Sequence, residues 1–384
     1  MYFMENLTLD QDRQKKAKEY ARISRRMMVL ELVIGFIYLV LWLVTGWSFQ
    51  LQNRLLEVSD NEWLLVIGFA LIFGGIFYVI NLPLSYFEGY VLPHRFDQSN
   101  QTIKDWLVDQ LKELLVSLIL GALIVEIIYA VLRASPDNWW LWAAGLMLVL
   151  NVLMANLAPV LLMPLFNKYV PIGEEYEELA QRLINLAKSA NVKVSGVFKF
   201  DLSRQTKSAN AALTGLGNTR RIVLGDTLIK EFSTEEIETV MAHELGHQAH
   251  NDISVGIVVG SMLTLFGFYL ASLVMRAGVP YFNLGQPSDV AAMPLFMLSL
   301  AVFEMVTLPL GNAFSRWRER RADLYALELT GKGKVFAAAL TRLANQNLAE
   351  VDPEPWVEWL LHSHPALSKR IKMALNYEEE NKPN

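Results

Sequence analysis

Apolar residues in this chain gather into long unbroken runs. Six stretches, 28–47, 63–87, 114–132, 139–167, 253–275 and 290–313, are predominantly apolar. A helix crosses the hydrocarbon core of a bilayer with ~20 such residues. The second, fourth and fifth stretches contain no Asp, Glu, Lys or Arg. Soluble helices of that length keep a polar face, so the pattern predicts a bundle of about six membrane helices. Elsewhere the pattern is that of ordinary soluble protein. Leu179, Leu183, Leu186 and Ala187 recur at helical spacing within 174–190. Segments 192–201 and 221–224 read as strands. Between them, 208–220 reads as a turn-rich piece around Gly215 and Gly217. Asp226 is placed to cap a short helix. Ser233, with Glu236 three residues on, forms a capping box that opens a longer helix leading into the fifth span. The charged tail after Asn376 is expected to fray. The expected organisation is a basic N-terminus (1–27), four spans (28–167), a soluble region (168–252), two spans (253–313) and a soluble C-terminal part (314–384).

Composition agrees with a membrane protein. Of 384 residues, 53% are hydrophobic and 19% charged, against about 25% charged in a soluble chain; mean hydropathy is +0.27. A net charge of −5 points to no nucleic-acid partner. With no Cys, disulfides and thiolate metal ligands are excluded. The first 27 residues are polar and basic, and the apolar run after them is too long for a cleavable signal.

Lys and Arg in short flanking segments set orientation. Arg13, Lys15, Lys16, Lys18, Arg22, Arg25 and Arg26 precede the first span, whereas loops 48–62, 133–138 and 276–289 carry one basic residue each, Arg54, Arg133 and Arg276. The N-terminus, 88–113, 168–252 and 314–384 are therefore expected in the cytoplasm, where the basic N-terminus also meets anionic lipid. The pair Trp139–Trp140 reads as a membrane-interface marker. Glu31, Glu126 and Glu304 fall within spans. Glu31 is near an end, and the other two face either a water-filled cavity or a hydrogen-bond partner on another helix.

Residues 243–247 read His-Glu-Leu-Gly-His. On a helix, i and i+4 share a face, so His243 and His247 can bind one Zn²⁺ and Glu244 can reach a water on it as general base. Such an ion lowers the water's pKa toward ~7. Catalytic zinc takes three protein ligands. Glu319 and Asp323, at i and i+4 after the sixth span, are available. Glu319 can be the third ligand and Asp323 can accept a hydrogen bond from a ligand histidine; equally, both can be surface partners of Arg316, Arg318, Arg320 and Arg321.

HELGH followed by NAFSRWRERRAD (312–323) resembles the NxxSRxxExxAD pattern of the integral-membrane zinc metalloproteases of the CaaX prenyl protease 1 family. Segments 82–102, 158–172, 208–217 (SANAALTGLG), 220–229 and 362–371 (HSHPALSKRI) are similar to further family segments. The resemblance implies one zinc per chain, with Glu319 as third ligand and Asp323 behind it. It also implies a peptide or protein substrate bound as an extended strand beside 208–213, with Asn210, Ala211 and Arg370 as contacts. Asn210 can instead hold a turn. His364 matches the family's SHP histidine and is expected to stabilise the oxyanion, or else to cap the helix starting near Ala366, with Arg370 supporting the site from behind. His250 is read as a helix-end residue, His94 as a solvated loop residue and His362 as structural. Six spans rather than the seven of eukaryotic members suggest a prokaryotic one, in the cytoplasmic membrane. The expected fold is mainly α: a polytopic membrane helix bundle with a cytoplasmic, zincin-like α+β catalytic region. The expected function is a zinc endopeptidase using a zinc-activated water and a Glu base. Its substrates are prenylated CaaX-type peptides, or misfolded membrane proteins without prenyl dependence. A non-enzymatic scaffold or transporter using the intramembrane carboxylates is the alternative.

Overall fold

A computed structural model of the chain describes residues 8–215 and 220–381; Gly217 lies outside them. Six of its helices are long and apolar enough to cross a membrane. Helix α1 (Gln11–Val44) fuses the basic N-terminal segment to the first span, and Asp10 caps it through the N–H groups of Asp12 and Arg13. A short α2 (Trp47–Leu56) fills the first loop. Helix α3 (Glu62–Tyr86) continues through one π-helical turn to Arg95. Helix α4 spans Ile103–Ala134. Helix α5 (Trp139–Leu157) likewise passes through a π-helical turn to Phe166. Lipid offers backbone groups no partners, so these segments stay helical throughout.

The soluble region holds a four-stranded sheet, β1 (Tyr169–Pro171), β2 (Val197–Phe200), β3 (Ala211–Thr214) and β4 (Arg221–Gly225), in the order β1-β2-β4-β3. Only the β2–β4 pair is parallel. Helices α6 (Glu177–Ser189), α7 (Asp226–Glu231) and α8 (Thr234–Ala249) pack around it. Their shared core contains Leu183, Ile222, Leu224, Leu228, Ile237, Met241 and Leu245. Spans α9 (Asp252–Tyr281) and α10 (Met293–Thr330) follow, then α11 (Gly333–Gln346), α12 (Pro355–Leu361) and α13 (Leu367–Glu380).

Several local expectations need correction. The strand read over 192–201 is only Val197–Phe200, the part with neighbours on both sides. The segment read as turn-rich contains β3, paired in register with β4 from Ala211↔Leu224 to Thr214↔Arg221. Asp226 is not a cap, since Gly225 holds that position and the Asp226 carboxylate accepts from Ser203 N (2.8 Å) and Oγ (2.5 Å). The charged tail stays helical to Glu380. Trp139, the first residue of its span, is buried among the helices, edge-on to Phe296. His94 is exposed but not free: its ring nitrogens lie 2.6 Å from Tyr90 O and 2.9 Å from Gln101 O. Glu126 is buried with neither carboxyl oxygen hydrogen-bonded, whereas Glu304 is exposed on α10.

Candidate active site

Helix α8 carries the HELGH motif and is fixed at its start by the Ser233–Glu236 capping box. Ile237, Met241 and Leu245, one turn apart, bury one stripe of it. His243 and His247 stand one above the other, with ring centroids 4.9 Å apart. On another side α8 meets α10 at Gly246. A Cβ there would lie 2.9 Å from Ala322 Cα and 3.0 Å from Ala322 O, so glycine permits this close approach. The approach brings Glu319 to the histidines. Its Oε2 lies 3.3 Å from His243 Nε2 and its Oε1 3.3 Å from His247 Nε2.

The donor set fits a zinc ion. The three ligand atoms lie within 4.8 Å of one another. Ligand atoms ~2.0–2.1 Å from a tetrahedral ion are about 3.3 Å apart, which matches both His–Glu separations. Glu319 Oε2 is buried without a hydrogen-bond partner. Burial opposes protonation of His243, yet the Asp323 and Glu319 carboxylates beside it outweigh this and raise its pKa to about 9. The imidazoles therefore sit in a strongly negative field, which a cation satisfies.

Each histidine also has a carboxylate behind it. Asp323 Oδ1 is 2.8 Å from His243 Nδ1, and Asp252 Oδ2 is 2.8 Å from His247 Nδ1. Arg370 of α13 donates to Asp323 through Nε (2.8 Å) and Nη2 (2.6 Å). Burial disfavours the charge on Arg370, and Asp323 more than restores it. Arg370, expected both as a substrate contact and as a support behind the site, is buried and bonded to Asp323. Glu244 is half-buried on α8 between the two histidines. His364 Nε2 lies 3.4 Å from Glu319 Oε1, and Ser363 Oγ lies 2.9 Å from its Nδ1. Burial lowers the His364 pKa, although the Glu319 charge opposes this. Asn210 is exposed just before β3, and Ala211 is that strand's buried first residue. His250 ends α8 with Nδ1 2.8 Å from Gly246 O, and the carbonyl of half-buried His362 accepts from Arg316. Asp252 was not anticipated; the signal was an Asp five residues after the second histidine, behind an Asn that tolerates left-handed backbone.

A six-span membrane bundle carrying a His-Glu-x-x-His helix with a Glu supplied by the last span defines an integral-membrane metallopeptidase. The chain belongs to peptidase family M48, which residues 174–378 match; residues 5–168 match the CAAX prenyl protease N-terminal region, described as five membrane helices. Four of this chain's six candidate spans fall in that region. A Bacillus subtilis protein described as the uncharacterized metalloprotease YhfN is 29% identical over 96% of this chain and 86% of its own length. CAAX prenyl protease 1 of Saccharomyces cerevisiae is 30% identical over 80% of this chain and 71% of its own. The crystal structure of S. mikatae Ste24p superposes with a TM-score of 0.83 at 25% identity, covering 96% of this chain and 89% of that one. Membership of a peptidase family sets aside the scaffold and transporter alternative.

Proposed function

We propose that this membrane metallopeptidase is a zinc endopeptidase of the CAAX prenyl protease type that cuts peptides at the cytoplasmic face of the membrane. The observation that carries the reading is the convergence of His243, His247 and Glu319 on one point. These residues would hold one zinc. When bound, zinc supplies Lewis acidity and brings a water's pKa down toward ~7. Glu244 is the general base: it takes the proton of the attacking water and passes it to the leaving amine. In this reading Ser363 Oγ, 2.9 Å from His364 Nδ1, donates to it, so that the ring proton is carried on Nε2. There it can hydrogen-bond the substrate carbonyl oxygen as negative charge grows on it. Asp323 holds His243 in the ligating tautomer. Strand β3 ends the sheet order, so a peptide can add beside it through main-chain hydrogen bonds, and the exposed Asn210 amide can both donate to and accept from that peptide.

The test is a peptidase assay of the purified full chain on a farnesylated peptide and its unmodified twin. Glu244→Gln should keep one zinc per chain and lose cleavage; a near wild-type rate would overturn the mechanism. Asn210→Ala should lower kcat/KM with zinc content intact, and unchanged kinetics would remove it from substrate binding. Faster cleavage of the farnesylated peptide is expected. Equal rates would point instead to a protease acting on membrane proteins without prenyl dependence.

A further inference from the structure

Asp252 is a buried carboxylate beside the metal ligands that the HELGH motif does not include. It is the first residue of α9, five positions after His247. Along an uninterrupted helix, five residues turn through about 500°, which leaves the two side chains some 140° apart. Here the helix is interrupted. Asn251 takes left-handed backbone at φ 54°, and α8 gives way to α9. The corner turns Asp252 back toward the site, with Oδ2 2.8 Å from His247 Nδ1. Arg318 of α10 pins the corner by donating to the Asp252 carbonyl at 3.0 Å. Gly256, one turn further, leaves room for that guanidinium: a Cβ would lie 3.1 Å from its Nη1.

Asp252 is 3% exposed, and its Oδ1 has no hydrogen-bond partner. Its counterpart Asp323 is neutralised by the two-point contact with Arg370. Among the described residues, no Lys or Arg reaches the Asp252 carboxylate in the same way, because Arg318 bonds its backbone carbonyl. The ion-pair contact of Asp252 is His247, a ring that is neutral when it binds a metal, and a buried charge without a charged partner is costly. With Asp323 and Arg370 cancelling, Glu319 and Asp252 remain as two buried negative charges, which one divalent cation balances.

We infer that Asp252 is a positioning residue for the metal: it fixes the tautomer and orientation of His247, and its own charge is compensated by the cation across the imidazole. This inference rests on the zinc-centre reading above. It sets apart two properties that a structural aspartate would couple. Asp252→Asn keeps the side chain's size and one acceptor oxygen but removes the charge. It should weaken zinc binding by ~10–100-fold while leaving the metal-free protein as heat-stable as wild type, or more so. Asp252→Ala removes the acceptor as well and should weaken zinc binding further.

The experiment uses the full chain in detergent. Zinc Kd is read by competition with a chromophoric chelator, and Tm is read on metal-free protein, for wild type and both variants. Wild-type zinc affinity in both variants would overturn the assignment. A Tm drop in metal-free Asp252→Asn would also overturn it, since that is the mark of a merely structural residue. If the wild type takes up no zinc, the zinc-centre reading itself fails, and the two failures are distinguishable.

Discussion

His364 exposes 58% of its side chain, yet its Nε2 lies 3.4 Å from the third ligand, Glu319. Helix α13 begins at Leu367 with Ala366 in the cap position and no side-chain cap bond, so His364 does not hold the helix start. The proposed role is that of a donor to the substrate carbonyl. Removing one donor to a developing oxyanion costs ~10²–10³ in kcat. His364→Ala should therefore lose kcat by about that factor, with KM and melting temperature little changed. Normal turnover with a lowered melting temperature would return the residue to a structural role. Arg370 comes from the same SHPALSKRI segment and has the opposite fate, buried against Asp323. The motif brings both residues near the metal. Which one is exposed and which one is buried is decided by how α13 lies against α10, and no spacing within the motif encodes that.

At the scale of elements, the turn that presents His364 hangs from α10. Asn312 donates to Leu360 O at 2.7 Å, and Arg316 donates to Glu358 O at 2.9 Å and His362 O at 2.6 Å. Glu358 closes the turn, accepting from Ala366 N at 3.1 Å and Lys369 Nζ at 2.6 Å. Burial pushes the Glu358 pKa up, but the bonds from Lys369 and Ala366 outweigh it and hold the carboxyl below its usual range. A lowered folded-state pKa means stabilisation that is present above the unfolded carboxylate pKa, about 4.3, and is lost as pH falls through the folded value. Glu358→Gln should therefore lower Tm near neutral pH, with the gap to wild type closing as pH drops through the carboxylate range. A gap independent of pH would show that the charge is not what matters. The sequence makes some elements plain and hides others for definite reasons. The spans are legible because lipid demands uninterrupted apolar helix, and α8 because Ser233 and Glu236 announce its start. Strand β3 is not, since its Ala211 and Ala212 carry little strand preference; pairing with β4 makes it extended. The α8–α9 corner is hidden because one Asn decides it, and with it the place of Asp252.

At the scale of the whole molecule, the metal site is built on the ends of membrane helices. Helix α10 runs unbroken from Met293 through the apolar stretch to Thr330, and α9 starts at Asp252, against His247. Glu319 lies nine residues beyond Leu310, about 13–14 Å along the axis, so the ligand cluster stands beyond the end of the apolar stretch. The expectation for which side of the membrane this is comes from charge. Seven Lys and Arg residues precede the first span, and four Arg residues cluster at 316–321, against one basic residue in each opposite loop. The positive-inside rule therefore predicts a cytoplasmic site. The chain has no Cys, so single cysteines report cleanly. A Cys at Gln286, exposed in the loop between α9 and α10, should react with an impermeant maleimide added to intact cells. A Cys at Ser203, exposed near the sheet, should react only after the membrane is opened. Labelling of Ser203→Cys but not Gln286→Cys in intact cells would turn the molecule over. The cleft would then face outward, and its substrates would have to be sought there.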